Sequence, residues 1–204
     1  MKKVISALLL CAPLSTLAAD NKIDLTFSGN LIAPTCKASL VGTTGNDIPF
    51  GNIDASDLLA KGQGTVVAKA PVKDLSLKFS GCDSITNIKV NFVGGSTSGA
   101  GFIRKAVNFL GKVDGKESGL GVAFFTVKNS TSDTDAIYVS EDRAGEPNVL
   151  SLATLTKSGS DYLWPLYAKM VVARGELIAT SSALDANSAG KDLIATISAN
   201  IVYL

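Results

Sequence analysis

The chain reads as an all-β sandwich, on three observations. Apolar residues recur at every second position in a series of short runs, the period of strands with one buried face. Glycine-rich and polar turns separate those runs. Glycine, serine, threonine, alanine and valine are abundant and aromatic residues make up only 6%, which suits many short strands joined by turns.

Residues 1–18 read as a secretory signal. Lys2 and Lys3 form its basic start, 4–14 its apolar stretch, and Thr16-Leu17-Ala18 a small-x-small cleavage site. Cleavage after Ala18 or after Ala19 fits this pattern. The apolar stretch is too short for a membrane span of about 20 residues. An alternating segment follows at once, with Ile23, Leu25, Phe27, Gly29 and Leu31 pointing one way and Asp24, Thr26, Ser28 and Asn30 the other.

Further strands are expected over 31–40, 46–53, 65–68, 73–81, 88–93, 121–127, 136–140, 162–174 and 193–204. Turn chemistry falls at 42–45, 62–64, 94–101, 114–115 and 187–190. Residues 55–60 suit one helical turn with Asp54 or Ser56 as its cap. Residues 102–110 read equally as strand or short helix. No internal repeat and no dividing linker appears, and the mature length suits one domain.

Charge and composition exclude several function classes. The leader removes two of the 19 basic residues and none of the 18 acidic ones, so the mature chain is close to neutral. No basic run favours nucleic acid or an anionic membrane surface. The chain has no histidine, which removes the commonest general base and metal ligand. Residues 111–117 lack the spacing of a phosphate loop, and Glu117 stands where a hydroxyl ligand for magnesium belongs. The glycine-rich stretch 94–101 lacks the setting of a dinucleotide site. Asp133-Thr134-Asp135 lacks the remaining ligands of a calcium loop. Asn129-Ser130-Thr131 is a glycosylation sequon, a triplet common by chance. No cofactor, metal or catalytic residue is therefore expected, and the chain is read as no enzyme.

Cys11 leaves with the leader, so Cys36 and Cys82 remain. Two cysteines in an exported chain most simply form one disulfide. A reactive thiol or metal pair is the alternative, and no histidine supports it.

The termini carry the functional argument. An unpaired strand edge exposes backbone N–H and C=O groups and invites a strand from another molecule. The segment through Ile23, Leu25, Phe27, Gly29 and Leu31 suits the role of donor. Gly29 interrupts its apolar series where a closed pocket would leave no room for a side chain. Near the other end, Leu193, Ala195, Ile197, Ala199, Ile201 and Tyr203 share one face and suit the wall of an accepting groove. The carboxylate of Leu204 offers a basic partner an anchor. Ordinary edge strands in a complete fold are the plainer alternative for both.

These residues resemble the fimbrial (pilus) subunits of the bacterial chaperone–usher pathway, of the type 1 and P pilus kind. The matching pieces are Phe27-Ser28-Gly29-Asn30-Leu31-Ile32-Ala33-Pro34-Thr35-Cys36, Ile48-Pro49-Phe50-Gly51-Asn52-Ile53, Leu77-Lys78-Phe79-Ser80-Gly81-Cys82, Tyr167-Ala168-Lys169 and the penultimate Tyr203. The stretch 94–148 is roomier than a minimal subunit requires, and Arg174-Gly175-Glu176 sits where the family often has a polar turn.

The resemblance implies an incomplete immunoglobulin-like sandwich that lacks its last strand and is completed by donor-strand complementation. It also implies a Cys36–Cys82 bridge. Its partners would be a periplasmic pilus chaperone that first lends a strand, an outer-membrane usher, and neighbouring pilus subunits joined head to tail. The chain then divides into a signal peptide (1–18), a donor-strand extension (19–32) and a pilin domain (33–204). It would be exported through the periplasm to the cell-surface fimbrium and support adhesion to surfaces or host receptors. The rivals are a single-domain adhesin that binds a host receptor directly and a secreted hydrolase on a β-sandwich.

Overall fold

Alternation along four long strands builds the main core. The computed structural model describes residues 36–43, 47–94, 105–140, 148–188 and 190–204. All of them belong to the unit Ala33–Leu204. Leu75, Leu77 and Phe79 of β2 (Lys73–Ser80) are buried, as are Ile88, Val90 and Phe92 of β3 (Asn87–Gly94). Leu120, Val122 and Phe124 of β5 (Glu117–Phe125) join them. So do Trp164, Leu166, Ala168, Met170 and Val172 of β9 (Asp161–Val172). Cross-strand pairs such as Leu77 with Trp164 and Leu120 with Val172 hold these side chains on one face.

Among the described residues the strands form two sheets. The larger has seven strands in the order β1 (Lys37–Val41), β2, β9, β5, β4 (Ala106–Gly111) and β10 (Leu193–Ile194), with β8 (Thr156–Ser158) paired to β9. The smaller has four: β11 (Ile197–Tyr203) lies on one side of β3, and β6 (Val139–Ser140) and β7 (Asn148–Ser151) lie on the other. The expected all-β sandwich is what the chain forms.

Most expected strands stand with shifted ends, and four readings change. Of the expected strand 46–53, the described residues 47–53 make none: past an isolated bridge position at Asp47 they run without regular structure. Residues 65–68 reduce to one bridge, Val66 to Val171. Residues 193–204 make two strands rather than one, because β10 pairs with β4 in one sheet and β11 with β3 in the other. The ambiguous stretch 102–110 resolves as strand where it is described, in β4. The glycine-rich residues 95–101 lie outside the described residues.

Three elements carry no readable period. β7 and β8 are too short to show one. The helix α1 (Ser181–Asn187) spans seven residues and buries only Leu184. Its cap is local chemistry, since the Thr180 hydroxyl accepts from the Ala183 N–H. The turn at residue 55 is a 3-10 turn over Ala55–Asp57, and Asp54 caps it through the Ser56 N–H at 2.8 Å. The stretch at Arg174 opens another, over Gly175–Ile178. Gly119 sits against that turn at φ +84°, and a Cβ on it would lie 2.9 Å from the Arg174 carbonyl. A side chain there is excluded both by conformation and by space.

Candidate functional site

An apolar groove of about 700 Å³ opens into the main core. The two edge strands of the large sheet, β1 and β10, both line it. Ala38 and Leu40 form one wall, and Leu193, Ala195, Ile197 and Ile201 form the other. The floor is core: Leu77, Phe92, Phe109, Val122, Phe124 and Leu166. Ile48 and Phe50, from the irregular run 47–53, also line the groove. Phe50 meets Phe109 edge to face with centroids 5.9 Å apart.

Among the described residues, the backbone of β11 presents an open edge along this groove. The N–H of Leu204 donates to the Asn87 carbonyl at 2.9 Å, and the N–H of Asn87 donates back at 3.5 Å. This is a hydrogen-bonded pair of an antiparallel ladder, in which such pairs alternate with non-bonded ones. The register of β11 on β3 is regular from Ile197 to Tyr203. Val202, Asn200 and Ser198 therefore direct their backbone groups to β3. Ile197, Ala199, Ile201 and Tyr203 direct theirs away from it. Among the described residues β11 pairs with β3 alone. The residues whose side chains border the groove are thus the same residues whose N–H and C=O groups face outward along it.

The opposite wall is fixed covalently. Cys36 and Cys82 are joined, with Cα atoms 4.4 Å apart, and both are buried. The bridge ties the start of β1 to the end of β2 beside the Lys37–Ser80 pair. It holds β1 at the lip of the groove, where its ladder to β2 extends only from Lys37 to Val41.

A solved chain from a chaperone–usher pilus, described in work on rod uncoiling, matches this architecture. The TM-score is 0.52 at 15% sequence identity, over 91% of this chain and 97% of that one. The fold is that of a chaperone–usher pilin. The CupB6 tip adhesin from Pseudomonas aeruginosa matches less well, with a TM-score of 0.34 at 12% identity over 70% of this chain and 35% of that one. No protein-family model matches the sequence, and no curated protein does.

Against this pilin fold the expected site residues fall into two groups. Leu193, Ala195, Ile197, Ala199 and Ile201 come together at the groove as one row, despite the change of sheet at residues 195 and 196. Tyr203 packs against the main core, and Leu204 is bonded to Asn87. Ile23, Leu25, Phe27, Gly29 and Leu31 lie outside the described residues. The wall residues Ala38 and Leu40 and the further lining residues Ile48 and Phe50 were not expected as site residues. Their alternation was visible, but alternation reports a buried face and not what that face borders.

Among the described residues no group of three or more histidine, cysteine, aspartate or glutamate side chains is placed to hold a metal. No described helix is long and apolar enough to cross a membrane. The walls and floor of the groove supply apolar contact and backbone hydrogen bonding, the two requirements of an added β-strand.

Proposed function

We propose that the protein is a structural subunit of an adhesive fimbria, polymerised by donor-strand exchange. The observation that carries this reading is the coincidence of an open β11 edge with an apolar groove reaching the core. A strand laid there would satisfy the outward backbone groups of Ile197, Ala199, Ile201 and Tyr203. It would also set alternate side chains over Phe92, Phe109 and Phe124. Each well-buried side chain contributes roughly 1.5–3 kcal/mol. These contributions do not sum to an affinity, but they account for a durable joint without a covalent link.

The donor is the segment 19–32 of a neighbouring subunit, carrying Ile23, Leu25, Phe27, Gly29 and Leu31. Before assembly a periplasmic chaperone lends the strand, and an outer-membrane usher hands the groove to the next subunit. The finished fibre stands on the cell surface and supports adhesion. The role is non-enzymatic.

Deleting 19–32 tests the assignment in one step. The truncated subunit is expected to bind chaperone through its own groove yet fail to be added after another subunit. Fibres that incorporate it at the normal place would refute the donor role. Gly29→Leu is expected to slow exchange, because a side chain would enter a pocket shaped for none. An unchanged exchange rate would remove that role for the glycine.

A further inference from the structure

A buried ammonium occupies the outer face of the large sheet. Lys169 on β9 is 3% exposed and is the one buried charged residue among the described residues. Its chain neighbours Ala168 and Met170 belong to the main core, so its own side chain points the opposite way. There it borders a small second cluster that includes Ala123, Phe125 and Val171.

Residues 126–135 form a closed loop on this face. The Thr126 N–H donates to the Asp135 carbonyl at 3.0 Å, and Phe125 bridges Ala136. Loops of this kind usually pack around their own side chains. This one buries none, and its one aliphatic residue, Val127, is 49% exposed. The Lys169 ammonium stands in their place. It donates to the Val127 carbonyl at 3.5 Å and to the Ser130 carbonyl, and it lies 4.3 Å from the centre of the Phe125 ring. The rim is held by two further lysines. Lys105 donates to the Asp133 carbonyl at 2.6 Å, and Lys128 pairs with Asp74 at 2.6 Å.

Carbonyl oxygens converging beside an aromatic face make a donor set suited to a cation. We propose that Lys169 serves as a built-in cation: its ammonium occupies the position a bound ion would take and closes the loop 126–135 over the sheet. Burial pushes the lysine pKa below its ordinary value, and the charge of Asp135 works against that shift. An isolated buried charge is costly. Retaining one here therefore fixes a conformation that an apolar residue of the same length would leave unspecified.

Amide hydrogen exchange on the full chain tests this, with two variants. Lys169→Met keeps the length of the side chain and removes the charge. Lys169→Ala removes the charge and leaves space. In both, exchange over 126–135 should rise roughly tenfold or more while Asn87–Gly94 is unchanged. Ammonium chloride should restore protection to Lys169→Ala and not to Lys169→Met. Tetramethylammonium chloride at the same ionic strength, which has no N–H donor, should restore neither. The proposal fails if Lys169→Met keeps the loop protected, if ammonium restores nothing, or if tetramethylammonium restores as much as ammonium. Should neither variant fold, the native chain decides by NMR. Slowly exchanging Lys169 ammonium protons with cross-peaks to Ser130 support the proposal, and protons averaged with water overturn it.

Discussion

At the scale of single residues, the Cys36–Cys82 bridge constrains the chain most directly. Its cysteines have a sequence separation of 46 residues. Constraining the unfolded chain over such a loop contributes about 4 kcal/mol in the chain-entropy model. Cys82→Ser is therefore expected to lower unfolding free energy by about that amount, read by linear extrapolation with each protein's own slope, which should rise as the unfolded chain loses its cross-link. A second residue-scale outcome concerns Asp114 in the β4–β5 turn. The Lys191 ammonium first, and the Lys116 N–H second, hold its carboxyl below the ordinary value of 3.8. A carboxyl depressed on folding stabilises the fold above its unfolded value, and that contribution is lost as pH falls through the folded value. An NMR titration should show the Asp114 midpoint below that of an unfolded chain, moving upward in Lys191→Gln.

At the scale of elements, the run 47–53 is the most informative. Its alternation of Ile48 and Phe50 is strand-like, and these side chains pack against the core together with Ile53. Among the described residues it forms no strand past the bridge position at Asp47. Filling the groove is expected to give its amides a partner and to slow their exchange. Comparing exchange over 47–53 with and without a peptide of residues 19–32 checks this, and no change would mean the run stays apart from the donor. The wall strand offers the complementary experiment. Ile197 and Ile201 are half-buried at the groove. Ile201→Asp should abolish peptide binding, because a carboxylate would be taken from water without a partner.

For the whole molecule, the proposed donor strand would link stability to assembly. A ligand that binds only the folded chain stabilises it by mass action, about 2.7 kcal/mol at a concentration one hundred times its Kd. The peptide of residues 19–32 should therefore raise Tm in a concentration-dependent way. A Tm indifferent to the peptide would separate the groove from the fibre. Without a donor, an edge such as that of β11 is also a site for unwanted pairing. Isolated monomer should accordingly aggregate faster than the peptide-filled form, as light scattering would register.

The local physics of the fold was written along the chain. Period two in 73–81 and 88–93 marked strands with one buried face, and that property needs only neighbouring residues. The same holds for the Asp54 cap and the Asp114-Gly115 turn. The period through Leu193, Ala195, Ile197, Ala199 and Ile201 was legible too, and these residues line the groove together with Ile194 and Thr196. Short elements were not: β7, β8 and α1 are shaped by what they pack against. Nor was Lys169 visible as buried, because a lysine between apolar residues reads as an outward charge until a loop crosses it. Sequence alone determined which faces are apolar and where the chain turns. Only the tertiary structure decided which edge lacks a partner among the described residues, that Ile48 and Phe50 border a groove, and that the terminal run divides between two sheets. Those outcomes depend on contacts between residues far apart in the chain, and a period in the sequence carries no information about them.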